Sequence, residues 1–338
     1  MTRRKICDGD VFIVFDLEWN QPIPGKEYNI DVSSLTGEII EIGAVKLIYT
    51  GGRLIPHGEF SRDIRPKVYR KLHFHVKMVT HKSNADLLNG VPFEEAYTDF
   101  AEFCGEDAVL AGWGNSDTDM LKMNLAFLGM DDKLPWKFID VQPLFSLFAG
   151  QDGKQRSVEF AVDYYDIPKE EVFHSATADA KYTARIMQSI FERSAQDKVE
   201  DAASDQIIDC NIKREYSHTG APCRTQGQAL SLVSGFNSKC PFCGRKFNVK
   251  TPLFRIRKSS YGLFECPKDG DFFGRTRVKK NGEGLYYAAA VLRLANQNDI
   301  FLIESKKAEF DRFGTSGRPV EKSEQNINKK CQKDDNSY

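Results

Sequence analysis

Apolar and polar positions alternate unevenly along this chain, and the strongest run comes first. Val11-Phe12-Ile13-Val14-Phe15 is unbroken, and Asp16-Leu17-Glu18-Trp19 follows it. A short β-branched and aromatic run of this kind predicts a buried central strand. Side chains alternate on a strand, so Asp16 and Glu18 share one face and Leu17 takes the other. The loop-rich stretch 20–37 leads to a second predicted strand over 38–49. Gly51-Gly52 turns the chain into a third over 58–64, completing an antiparallel meander. An irregular segment from Pro66 holds His73, His75 and His81, whose spacing fits no common ligand pattern and reads as loop or capping residues.

Helix and strand signals then alternate. Phe93, Ala96, Tyr97, Phe100 and Phe103 recur at helical spacing. Residues 108–114 form a short apolar strand, 120–127 a helix, and 138–141 another strand. Helices are predicted over 143–148 and 157–165, and a last one runs through Tyr182, Ile186 and Ile190. A meander followed by alternating elements predicts an α/β fold, a mixed sheet flanked by helices. Residues 196–209 are polar and small and read as a linker. A small basic domain is expected over 210–303. Its last element, 285–296, is rich in alanine and leucine and reads as a helix. Residues 304–338 are poor in apolar side chains and are expected to be disordered. There is no internal repeat.

The 338 residues suffice for two domains, the first expected over 1–195. No stretch approaches the ~20 apolar residues of a membrane span. The basic start Met1-Thr2-Arg3-Arg4-Lys5 is followed by the first strand without a small-residue cleavage site, so no signal peptide and a cytoplasmic protein are expected. Of eight cysteines, Cys240, Cys243 and Cys266 fall close together, which favours metal over disulfides.

Net charge is −1 but unevenly placed. Between residues 211 and 280, 15 Lys and Arg stand against four acids, leaving −12 on the remainder. A basic part joined to an acidic part points to a polyanionic partner.

Two adjacent carboxylates on a buried strand repel, at a cost that a divalent cation offsets. Asp117 follows the Trp113-Gly114 strand, and Asp179 stands on the last helix of the domain, five residues after His174. Five helical residues turn about 500°, so His174 belongs on the loop before that helix. Carboxylates of this number suit a metal-assisted phosphodiester hydrolysis in which a neutral histidine takes a proton from water. Asp119 reads as an ordinary acid in a helix's first turn, and Asp140 as a strand end.

Asp16-Leu17-Glu18, Asp117 and His174 with Asp179 resemble the three motifs of the DEDDh 3′–5′ exonucleases over roughly residues 10–192. The segment 38–45 is similar to that family's second strand. Trp113-Gly114 resembles the branch of Eri-type exoribonucleases and the bacterial sporulation inhibitor. The resemblance implies a ribonuclease H-like fold and two Mg²⁺ or Mn²⁺ ions. It implies Asp16, Glu18, Asp117 and Asp179 as metal ligands, and His174 as general base. Leu17 and Trp19 would contact the terminal nucleotide. RNA is favoured over DNA on the branch resemblance. The stretch between Trp19 and Glu38 is a long insertion relative to that family.

Cys240-Pro241-Phe242-Cys243-Gly244 has the form of a zinc knuckle. With Cys266 it predicts a zinc-ribbon-like module with a structural Zn²⁺. A ribbon would carry a fourth cysteine where this chain has Asp269, so the fourth ligand is Asp269, Cys223, His218 or Asp271. The surrounding Arg, Lys and aromatic side chains predict a nucleic-acid grip. Two other readings remain open: a catalytically silent nucleic-acid-binding protein on a nuclease fold, and a basic module that binds protein.

Overall fold

The computed structural model describes residues 5–149, 156–212 and 215–316. The chain divides into two compact units, Met1–Lys213 and Arg214–Tyr338.

In the first unit, β1 (Val11–Asn20), β2 (Glu38–Thr50) and β3 (Arg53–Asp63) form the expected antiparallel meander. Then come α1 (Phe74–Thr80), α2 (Asn84–Asn89), α3 (Phe93–Cys104), β4 (Val109–Gly112), α4 (Ser116–Phe127) and β5 (Lys137–Asp140). The unit closes with α5 (Val141–Ala149), α6 (Val158–Tyr164), α7 (Ala176–Arg193), α8 (Gln196–Gln206) and a short β6 (Ile208–Asp209). The sheet order is β3-β2-β1-β4-β5-β6, with β1, β4 and β5 parallel. This is a ribonuclease H-like mixed sheet. β1 lies inside it and is covered on both faces, which is why its apolar run is unbroken. Phe12 and Val14 pack with Leu144, Val162 and Ile186 from α5, α6 and α7. Ile13, Phe15 and Leu17 pack with Phe100 and Leu121 from α3 and α4. Asp16 and Glu18 continue the row that faces α7. His73 caps the start of α1, accepting from the His75 amide, and His81 is its left-handed C-cap.

The segment read as a linker is instead the helix α8. Its Val199 and Ala203 are buried in the core of the first unit. They stand four residues apart on one face, a stripe too narrow to register against the polar residues around it.

The second unit holds β7 (Glu215–Thr219), α9 (Gln226–Ser231), β8 (Asn248–Ile256), β9 (Ser259–Cys266), β10 (Gly270–Lys280), β11 (Tyr286–Leu294) and α10 (Gln297–Phe313). Its five strands form one antiparallel sheet, β7-β11-β10-β9-β8. The expected helix over 285–296 is therefore wrong: this stretch is β11. Ala288, Ala290 and Leu292 are buried at every second position. The ladders to β10 and β7 override the helical preference of alanine and leucine. α10 begins at an Asn296 capping box, buries Ile303, and continues through residue 304 into the segment expected to be disordered. The rest of that expected tail, 317–338, lies outside the described residues. No described helix is long and apolar enough to cross a membrane.

Candidate active site

The meander places Asp16 opposite Gly43 and Glu18 opposite Glu41 on β2. Gly43 decides what can approach this surface. A Cβ there would stand 2.2 Å from the Thr177 amide nitrogen and 2.3 Å from the Ala176 carbonyl carbon. Only glycine lets the first turn of α7 lie directly on β2, and Asp179 stands in that turn. Ligand atoms of Asp16, Glu18 and Asp179 accordingly fall within 4.8 Å of one another.

Asp117 arrives from the other layer. It lies in the first turn of α4, 3% exposed, and accepts the Leu17 amide proton at 3.2 Å. α4 starts at Ser116, earlier than the sequence pattern gave, and so includes this residue. Asp119 in the same turn is exposed. Asp140 accepts from the amides of Gly114 (2.9 Å) and Gln142 (3.0 Å), which ties the end of β5 to the turn after β4.

His174 lies outside α7 on a left-handed turn, φ 70°, with its side chain exposed. Its amide donates to Asp179 Oδ2 at 3.2 Å. The other oxygen, Asp179 Oδ1, is buried and has no hydrogen-bond partner.

These carboxylates are held against their own charge. Burial, then the carboxylates of Asp117, Asp179, Glu18 and Glu41, raises Asp16 well above the ordinary range. Burial, with Asp179, Glu41 and Asp117, pushes Glu18 up to about 8, opposed by the Lys82 ammonium. Burial also pushes Asp117 up to about 7, although the Leu17 amide favours its charged form. Asp179 is raised mainly by burial, against the opposing effect of the His174 amide. An orphaned carboxylate oxygen among buried acids is the donor set a divalent cation would satisfy.

Glu41 buttresses the site. It is 3% exposed and accepts from the Ser175 hydroxyl at 3.0 Å and from the Thr177 amide at 3.4 Å. Lys82 reaches it at 3.0 Å and Asp63 at 2.6 Å. Neither Gly43 nor Lys82 stands out in the sequence as belonging to a site. Glycine in a strand interior, 25 residues after the first motif, was the one available signal. Leu17 differs from expectation. Its side chain is 2% exposed and packed in the core, so it meets the site through its backbone amide. Trp19 is half-buried beside a bulge in β1.

A family model described as Exonuclease (RNase T) matches residues 13–187, 175 of the 338 residues. The chain belongs to the exonuclease family. No curated protein sequence matches it. Among solved structures, this exonuclease chain is similar to the nuclease domain of 3′hExo, a DEDDh family member, bound to rAMP. That likeness has 16% identity and TM-score 0.47, and covers 56% of this chain and 94% of that one. Cell-death related nuclease 4 is similar at 13% identity and TM-score 0.46, over 71% and 88% of the two chains. Exonuclease I of E. coli in complex with a dA16 oligonucleotide is similar at 10% identity and TM-score 0.48, over 94% and 76%.

In the second unit of the exonuclease, the knuckle meets the β9–β10 turn. Asp269 Oδ2 lies 3.2 Å from the sulfurs of both Cys240 and Cys266, and the Cys243 and Cys266 sulfurs are 3.4 Å apart. These four residues form one potential ligand cluster. The other candidates stand elsewhere. Cys223 bonds the Tyr286 carbonyl, His218 stacks on Phe236, and Asp271 pairs with Lys250. Burial, with the Asp269 carboxylate also contributing, pushes the Cys240 thiol up to about 12.

Proposed function

We propose that this exonuclease is a DEDDh-type, metal-dependent 3′–5′ enzyme that hydrolyses phosphodiesters at the 3′ ends of single strands, RNA before DNA. One observation carries the reading: three carboxylates from two elements converge within 4.8 Å. The buried, partnerless Asp179 Oδ1 among them supports it. Asp16, Glu18 and Asp179 would hold one Mg²⁺ or Mn²⁺, with Asp117 beside Asp16 helping to hold a second. Cations bound there supply positive charge for the phosphate and lower the pKa of water. Asp117, fixed by the Leu17 amide, keeps its position in the layer opposite α7. His174, exposed on its turn and linked to Asp179 through its amide, would take the proton from the attacking water at Nδ1 or Nε2. Glu41, through Ser175 and Thr177, holds the start of α7 and with it both His174 and Asp179. The preference for RNA rests on the resemblance around Trp113-Gly114. In the second unit, Cys240, Cys243, Cys266 and Asp269 would bind a structural Zn²⁺, a set of thiolates and one carboxylate within zinc's ordinary ligands.

The test uses single-stranded RNA and DNA of one sequence, labelled at either end, with Mg²⁺, Mn²⁺ or EDTA. Metal-dependent release of mononucleotide from the 3′ end is expected from the native chain and is abolished in Asp16→Ala. Tight binding with no cleavage would replace this reading with the silent nuclease fold.

A further inference from the structure

The five-stranded sheet of the second unit has two unlike faces. One is covered: Phe272, Val278, Ala288, Ala290 and Leu292 lie under α9 and the cysteine knuckle. Among the described residues of this unit, the other is covered only at one end, where α10 packs on Phe254, Leu263 and Phe273. Beyond that end the face is open. Arg275, Arg277 and Lys279 are all exposed at alternate positions of β10. Alternate residues of a strand stand about 7 Å apart on one face, so the three form a straight row of cations.

The neighbours in register make this row a surface of a particular kind. Arg275 faces Val291, Arg277 faces Ala289 and Lys279 faces Tyr287 on β11. Val291 and Ala289 in turn face Ser217 and Thr219 on β7. These side chains are small or flat, and all of them are partly or fully exposed. Two other cations of this unit are neutralised, Lys250 at 2.8 Å from Asp271 and Arg293 at 2.5 Å from Asp299, and Asp299 also attracts Arg275 at the near end of the row. Among the described residues, Arg277 and Lys279 have no carboxylate partner.

We infer that this open face, centred on Arg275, Arg277, Lys279 and Tyr287, is a binding platform for single-stranded nucleic acid. The row of cations follows a polyphosphate backbone, and the Tyr287 ring stacks on an unpaired base. The low surface of Ala289 and its neighbours leaves room for the strand to lie flat. A duplex hides its bases from such a ring, so unpaired strands are the occupant that uses the whole surface. The inference adds residues to the proposed function and rests on it for the identity of the ligand. It does not rest on the acidic site.

Binding and hydrolysis are therefore measured apart, on the full chain. Fluorescence anisotropy with a labelled 20-nucleotide RNA, the matching DNA and the matching duplex is read with no divalent ion added, across a salt series. Hydrolysis is read with Mn²⁺ on a dinucleotide, whose single phosphodiester cannot follow a row of three cations. The variant R275A/R277A/K279A is expected to bind single strands at least tenfold more weakly. Its log–log salt slope should be shallower by about 2, near 0.7 for each lost phosphate contact. Tyr287→Ala is expected to weaken binding about fivefold or more. Dinucleotide hydrolysis stays at the native rate in both. R275K/R277K retains most of the binding, which separates charge from fold. Native affinity and salt slope in the triple variant would overturn the inference, as would tighter binding of the duplex than of the single strand. Failure of the native chain to cleave the dinucleotide sinks the hydrolytic reading alone.

Discussion

Glu18 gives the most direct test of how the acidic cluster is held. Its pKa stands at about 8 in the fold against an ordinary 4.5, raised by burial and by Asp179, Glu41 and Asp117. Below 4.5 both folded and unfolded chains keep the proton, and Glu18 has no effect on stability. Between 4.5 and 8 the unfolded chain releases the proton while the folded chain keeps it. Stability therefore falls as pH rises through this window and levels off above it. At 1.36 kcal/mol per unit, the fall attributable to Glu18 between pH 5 and pH 8 is about 3–4 kcal/mol. For a unit of this size that corresponds to about 7–15 °C in Tm. Glu18→Gln removes the titration. Thermal unfolding in EDTA, followed by circular dichroism from pH 5 to pH 8, should show the variant gaining on the native chain as pH rises. Adding Mn²⁺ at pH 8 should restore most of the loss in the native chain and much less in the variant. The variant should also be inactive. Parallel pH curves for the two proteins would refute the account, since the fold would then carry no cost for Glu18's charge.

His174→Ala is expected to lower kcat about 10²–10⁴-fold while Mn²⁺ affinity, measured by calorimetry, stays close to native. An equal loss of both would make His174 a structural residue of the turn. Gly43→Ala forces a methyl group into the backbone of α7, so a loss of about 1–3 kcal/mol or more in urea denaturation is expected, together with weaker Mn²⁺ binding. Native values for both would contradict the close approach of α7 to β2. The purified chain is expected to carry one zinc per molecule by atomic absorption, and Cys240→Ser to lose it with a lowered Tm. Equal zinc content in the two would remove the cluster from consideration.

Much of this protein was legible in its residues because the information was local. An unbroken apolar run ending in two alternating carboxylates marks a central strand whose end faces a charged site. The pattern needs no knowledge of what lies across from it. The order of β1 to β5 and of α3 to α7 followed in the same way, and so did the three exonuclease motifs, whereas α1 and α2 stand in the segment read as irregular. The sequence was misleading where local preference and tertiary context disagree. Residues 285–296 prefer helix, yet the neighbouring strands β10 and β7 supply backbone partners that make them a strand. Residues 196–209 look like a linker because polar side chains separate their few apolar ones, and only the packed core shows that Val199 and Ala203, with Ala202 and Ile207 beside them, dock α8.

The acidic site divides along the same line. Asp16, Glu18, Asp117, His174 and Asp179 carry their chemistry in their side chains and stood out as residue types. Gly43 matters for the side chain it lacks, and Lys82 for the buried Glu41 it neutralises. The choice of Asp269 over Cys223 depends on which turn meets the knuckle. Each of these is a statement about what stands within a few ångströms across the fold. A linear chain holds no such distances, so they were decided only when β2 met α7 and β9 turned back into β10.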